Sequence, residues 1–245
     1  MPEGPSILIL KELLLPYKGK IIESVAGNAK IEMNLLLNER IIDFKSWGKH
    51  LLICFEKFYI RIHLLMFGTY RVNERKESNP RLSLQLQNNN EINFYTCSIK
   101  LIKGDANKDY DWQSDVMADE WNPLKAEKKM KELKNVLVTD AILNQEIFSG
   151  AGNIIKNEVL FRAKIHPESL VESIPDKRLK ELVKDVRTYS FDFYKWKKVF
   201  QLKTHWLVYS KRTCPRCKIA IKKEHLGKGK RISYFCTNCQ ILFQH

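Results

Sequence analysis

The chain has 245 residues and a mass of 28.9 kDa, which predicts two compact units with a small addition rather than one domain. With 44% hydrophobic and 29% charged residues, 10 Gly and 8 Pro, the composition excludes a disordered, collagenous or low-complexity chain. Apolar runs such as Ile7–Leu10 and Leu64–Phe67 are too short to span a membrane, no signal peptide opens the chain, and 42 basic against 28 acidic residues leave a net charge of +14.

In chain order, the segment from Ser6 to Leu15 reads as a short, mostly buried helix, with Pro5 at its first turn and Pro16 just past its end. Between Ile21 and Ile102 six strands are predicted, at 41–45, 50–55, 59–63, 68–72, 82–86 and 92–95. Apolar and polar residues alternate in the last two, so an antiparallel sandwich or barrel is expected. Residues 104–123 are rich in Asp and Trp without sustained periodicity and read as a linker. Helices follow over 125–134, 138–148, 153–162 and 176–189, the last repeating Leu179, Leu182, Val183 and Val186. The expected division is therefore 1–110, a linker at 111–123, a helical domain at 124–210 and a terminal ribbon at 211–245.

The charge is unevenly spread. Residues 1–110 carry 16 basic and 12 acidic side chains, residues 111–185 carry 12 and 14, and residues 186–245 carry 14 and 2. So basic a block attracts a polyanion, and nucleic acid leads as the partner over a membrane surface or an acidic protein. The same region holds Cys214-x2-Cys217 and Cys236-x2-Cys239, with 18 residues between the pairs. Two such knuckles joined by a hairpin bring four thiolates to one tetrahedral point, as one structural Zn2+ requires. Disulfides are the other reading. Cys54 and Cys97 stand apart on strand-like segments, which suits buried thiols in a reducing compartment. Lys228-Gly-Lys-Arg231 sits at the expected hairpin tip, where a glycine turn exposes cations to phosphate.

Two further segments can carry chemistry. Ser149-Gly-Ala-Gly152 separates two helices, and Asn153 is placed to cap the second, whose first-turn amides and dipole favour a phosphate. A plain helix hairpin has the same signature. At the other end, removal of Met1 exposes a secondary amine at Pro2, beside Glu3 and at the positive end of the first helix. That field disfavours the ammonium form, leaving more of the amine as a nucleophile.

Taken together, Pro2-Glu-Gly-Pro5, Gly48-Lys49-His-Leu-Leu, Gly150-Ala-Gly-Asn-Ile-Ile-Lys-Asn-Glu158 with Leu160-Phe-Arg-Ala-Lys-Ile-His-Pro167, and the ribbon ending Cys236-Thr-Asn-Cys-Gln240 resemble the endonuclease VIII/formamidopyrimidine-DNA glycosylase family, closest to the bacterial endonuclease VIII branch. The resemblance implies an α+β multidomain protein: an N-terminal antiparallel β-sandwich with an N-terminal helix, a helix-two-turn-helix domain and a C-terminal zinc ribbon. It implies a bifunctional DNA glycosylase/AP lyase of base-excision repair that removes oxidised pyrimidines through a Pro2 Schiff base and β,δ-elimination. Pro2, Glu3 and Lys49 are the implied catalytic set, as nucleophile, proton shuttle and phosphate ligand, with Glu158 close behind them. Asn153, Lys156 and Arg231 are implied DNA contacts, and Leu65, Met66 and Phe67 the residues that fill the gap left by an everted base. The ligands of the zinc ion are Cys214, Cys217, Cys236 and Cys239.

The implied partner is damaged double-stranded DNA, met by a monomer in the cytoplasm of a bacterium, at the nucleoid, with no membrane involved. His63-Leu-x-Met-x-Gly68 resembles the guanine-lesion branch instead, Ser6 stands where the endonuclease VIII branch has Glu, and the Asp-Pro-Arg-Arg-Phe-Gly segment of the guanine branch is missing. An 8-oxoguanine/formamidopyrimidine glycosylase, or a non-catalytic zinc-ribbon DNA-binding protein on the same scaffold, are the alternatives.

Overall fold

The computed structural model describes residues 2–244, which fall into two units divided between Tyr110 and Asp111. Met1, whose removal is expected, lies outside the described residues.

The first unit opens with helix α1 (Gly4–Leu14), which has Pro5 in its first turn and buries Ile7, Leu10 and Leu14. Their spacing puts all three on one helical face, and that face lies against strands β2 (Asp43–Trp47) and β3 (His50–Cys54). Those two belong to a four-stranded antiparallel sheet, β2-β3-β4-β8, with β4 at Phe58–His63 and β8 at Ser98–Lys103. A second sheet runs β1-β6-β7-β5, with β1 at Ile22–Ala26, β5 at Thr69–Val72, β6 at Leu82–Leu86 and β7 at Asn90–Tyr95. Phe44, Leu51, Ile53, Ile60 and Ile62 from the first sheet and Leu82, Leu84, Ile92 and Phe94 from the second share one core. The helix-plus-sandwich expectation holds, and β1 and β8 are additions to the six predicted strands. In β1 only Ile22 is buried, so its sequence shows no alternation to read. Cys54 and Cys97 are free and buried, and burial pushes both thiols up to about 11.

The second unit begins at Asp111. Residues 111–123 are built into it: Ser114, Asp115, Val116, Met117 and Trp121 are buried, and Trp121 packs on Phe148 with ring centroids 5.9 Å apart. Its helices, after the short α2 (Ala106–Asp109) of the first unit, are α3 (Pro123–Lys131), α4 (Val138–Leu143), α5 (Asn153–Arg162) and α6 (Asp176–Lys198). α4 stops at Leu143, short of the predicted 148, because Asn144 turns extended and its side chain accepts the amide of Glu146 at 2.9 Å. α6 runs past the predicted 189 because Phe193 continues its buried stripe. The chain ends in a hairpin of β9 (Lys222–Leu226) and β10 (Arg231–Phe235).

Helix α5 joins these pieces. Nine of its ten residues, from Asn153 to Phe161, are buried, although four of the nine are polar or charged. Three of the four are met by the backbone and side chains of β10: Asn153 donates to the carbonyl of Ile232 at 2.9 Å, Asn157 accepts the amide of Tyr234 at 2.7 Å, and Lys156 Nζ donates to Ser233 Oγ at 2.7 Å and Ile232 O at 3.2 Å. Lys156 is therefore no DNA contact. It is fully buried, and its ammonium fixes the ribbon strand instead.

Two stability predictions follow from these contacts. Lys156→Ala leaves Ser233 and a cavity behind, and should cost about 2–4 kcal/mol in denaturant unfolding, with Lys156→Met losing less because it refills the volume. His50 is held at a pKa of about 3, by burial first and then by Arg61, His63 and Lys49. Its unfolded form binds a proton near pH 6.5 and its folded form does not, so stability should fall as the pH drops from about 6.5 toward 3. His50→Gln should flatten that part of the pH–stability curve.

Candidate functional site

In the first unit, Pro2 is half-buried and Glu3 wholly buried at the start of α1. Glu3 occupies the N-cap position with extended backbone, and its carbonyl accepts the amides of Ser6 at 2.8 Å and Ile7 at 3.3 Å. A carboxylate and a potential amine thus meet at the positive pole of an 11-residue helix. Burial of an acidic side chain costs free energy unless the site uses or satisfies it.

Lys49 lies in the two-residue turn between β2 and β3, where Trp47 pairs with His50 and Gly48 takes a φ of +54°. That backbone region is open to glycine and costly for most residues. His50 stacks on Trp47 at 5.8 Å and meets His63 edge-on at 5.3 Å. Burial lowers both imidazoles, so at neutral pH they add no charge beside the lysine.

β4 ends at His63 and a tight loop reverses the chain into β5. His63 Nδ1 accepts the amide of Leu65 at 3.0 Å, and Gly68 donates to Leu64 O at 2.7 Å. A Cβ on Gly68 would collide with the Leu64 carbonyl, so only glycine closes this turn. The three residues it presents are exposed: Leu65 47%, Met66 52% and Phe67 77%. Three adjacent apolar side chains held out into water by a closed turn form a wedge.

In the second unit, the link between α4 and α5 is stapled by Gln145, whose Oε1 accepts the amide of Gly150 at 3.1 Å and whose Nε2 donates to Leu143 O and Ala151 O. The N-cap of α5 is Gly152, and Asn153, expected there, is its first residue. The Asn153 carboxamide nitrogen is committed to Ile232, while its Oδ1 is buried with no hydrogen-bond partner among the described residues.

Glu158 is fully buried and accepts three successive amides, from Leu207 at 2.9 Å, Val208 at 3.0 Å and Tyr209 at 2.8 Å. Burial drives its carboxyl above the usual range, and those amides oppose the shift. Within its own unit, Glu158 is the clamp on the chain that leads into the ribbon.

The four cysteine sulfurs at 214, 217, 236 and 239 all lie within 4.8 Å of one another, with Cys214 Sγ and Cys239 Sγ 3.9 Å apart. A tetrahedral zinc–thiolate centre with bonds of about 2.3 Å needs sulfurs about 3.8 Å apart, so the residues present fit the ion. The ribbon is docked on the helices by Arg216, which stacks 3.8 Å over the Phe161 ring and donates to Phe161 O at 2.6 Å, and by Gln240, which bridges the Cys236 amide and Ile165 O. Asp140 of α4 accepts the Lys228 amide through both oxygens, at 3.1 and 3.0 Å, and a side chain on Gly227 would strike that carboxylate. Arg231 opens β10 with an exposed guanidinium that has no hydrogen bond or ion pair among the described residues. Gln145 and Asp140 carry no motif of their own, and only packing shows their parts.

The sequence model described as the formamidopyrimidine-DNA glycosylase N-terminal domain matches residues 1–97, and that of the same enzyme's H2TH domain matches residues 114–189. Human Endonuclease 8-like 3 is 33% identical over 205 residues, covering 80% of this chain and 34% of that protein. The chain thus spans about a third of the length of the Endonuclease 8-like 3 proteins it matches. Formamidopyrimidine-DNA glycosylase of Lactobacillus helveticus is 25% identical across the whole of both chains. Among solved structures, a viral DNA glycosylase superposes with a TM-score of 0.84 at 22% identity, covering 98% of this chain and all of that one. The Lactococcus lactis formamidopyrimidine-DNA glycosylase, non-covalently bound to DNA with an AP site, reaches 0.85 at 21% identity over 97% of this chain and 99% of that one. Two domain models of one enzyme matched in order, a relative aligned end to end, and a shared fold that closes with the four-cysteine hairpin make the chain a member of the formamidopyrimidine-DNA glycosylase/endonuclease VIII family of DNA glycosylases.

Proposed function

We propose that the protein is a bifunctional DNA glycosylase/AP lyase acting on oxidised pyrimidines in double-stranded DNA, with Pro2 as its nucleophile. The observation that carries this reading is the start of α1, where Pro2 is followed by a wholly buried Glu3 inside the matched N-terminal domain. With Met1 removed, the Pro2 nitrogen attacks C1′ of the damaged nucleotide, the glycosidic bond breaks, and the base leaves with the proton that the amine gives up. Glu3 protonates the sugar ring oxygen as the ring opens. The product is an iminium ion that cannot shed its charge, because a secondary amine has no second proton to lose. It acidifies C2′, so the 3′ and then the 5′ phosphate depart and a one-nucleotide gap remains.

Lys49 on its glycine-closed turn holds a phosphate beside the reacting sugar, while Leu65, Met66 and Phe67 occupy the space of the everted base and offset its unstacking. In the second unit Arg231, with its uncommitted guanidinium, and the start of α5 at Asn153 grip the backbone. Zn2+ on the four cysteines would fix the hairpin that carries Arg231. The pyrimidine assignment draws on the likeness to Endonuclease 8-like proteins at 29–33% identity, above the 25% of the formamidopyrimidine enzyme.

Borohydride reduction of the processed protein with DNA carrying thymine glycol or an abasic site should trap a covalent adduct, read by intact mass as an attachment at Pro2. A panel in which guanine lesions trap and pyrimidine lesions do not would reverse the substrate assignment. Glu3→Gln should lower base removal at least about a hundredfold while sparing cleavage at a preformed abasic site. Arg231→Ala should weaken binding to every lesion alike and reduce the slope of log affinity against log salt by about one phosphate contact.

A further inference from the structure

The most exposed large apolar side chain among the described residues lies outside everything assigned above. Phe200, just beyond the end of α6, is 98% exposed, and Val199 beside it is 58% exposed. Its φ is +59°, a left-handed backbone that a bulky side chain rarely adopts. The turn is fixed: the Phe200 amide donates to Lys197 O at 3.1 Å and the Gln201 amide to Trp196 O at 2.8 Å. Trp196 and His205 close it by stacking face to face, 4.2 Å apart and 4° from parallel. The two amide bonds close the helix in the usual left-handed turn, where glycine or asparagine is the common residue, and here that turn holds a Phe200 ring out in water. Around it Lys195, Lys197, Lys198 and Lys203 are all exposed, with no acidic residue between Lys195 and His205.

We infer that Phe200 is a stacking platform for an unpaired base of single-stranded DNA, with the surrounding lysines tracking the phosphates. A flat aromatic face among cations is the combination that binds a single strand without reading its sequence. A duplex offers phosphates to the same lysines but no open base face. The choice of DNA over other polyanions rests on the glycosylase reading, whereas the strand contact itself needs no catalysis.

The test is fluorescence anisotropy of the full chain with an undamaged labelled oligothymidine strand, with an undamaged duplex of equal length, and with the matching RNA strand. Phe200→Ala should weaken the DNA strand about tenfold and leave the duplex within about twofold, the fold-changes that set a stacking platform apart from a phosphate contact. Phe200→Trp should restore the strand. Phe200→Asn, which suits left-handed backbone, should show the same loss as alanine in an unstrained turn. Unchanged strand affinity in Phe200→Ala, an equal loss on duplex, or tighter binding of RNA with the same dependence on Phe200 would each overturn the inference. So would sedimentation that shows a wild-type dimer turned monomeric by Phe200→Ala, since the ring would then be a contact between copies. Borohydride trapping at an abasic duplex reads the catalytic proposal separately: its failure alongside a strand-selective Phe200 effect would sink the chemistry and leave this site standing.

Discussion

A helix buried on every side has to find partners for its own polar side chains, and α5 finds them in one strand. Asn153, Lys156 and Asn157 converge on residues 232–234 of β10, and Glu158, on the same helix, takes the three amides at 207–209 that lead toward the ribbon. All of these contacts except Lys156 to Ser233 Oγ fix backbone rather than a side-chain tip, so the strand's register is set along with its position. Arg231 is the residue next to that gripped stretch, and its direction is inherited from α5. An unmade bond here leaves a polar group in a dry interior, which makes the arrangement close to all-or-none.

The ribbon is consequently held by three kinds of force with different sensitivities. The sulfur cluster depends on metal and on thiol chemistry, the α5 contacts depend on burial, and the Asp140–Lys228 clamp is an exposed interaction that salt and solvent weaken. Arg216, one of the ribbon's positive charges, lies over the Phe161 ring and donates to the Phe161 carbonyl, which commits its guanidinium to packing within its own unit.

Much of this was legible before any coordinates. The cysteine spacing marks a tetrahedral cluster, the Pro-bounded start marks α1, and 153–162 marks a helix whose limits match. What pattern reading missed has physical causes. Lys156 looks like a surface cation because burial of a lysine depends on a partner strand more than seventy residues away. Asn144 ends α4 through a side-chain bond that competes with the helix, a choice that hydrophobic periodicity does not register. Residues 111–123 are packed through Trp121 and Phe148, a contact that no local alternation announces. Phe200 lies beyond the predicted helix end at 189, and only its backbone angle and exposure together single it out.

The turn at Leu64–Gly68 separates how a loop is held from what it offers. Its closure uses the His63 imidazole, the main-chain amides of Leu65 and Gly68, and a glycine with no room for a side chain, and no side chain of the three residues it displays takes part. Side chains at 65–67 can therefore diverge in size and chemistry while the scaffold beneath them stays intact. Such a cassette lets the chemistry shown to solvent change without rebuilding the sandwich.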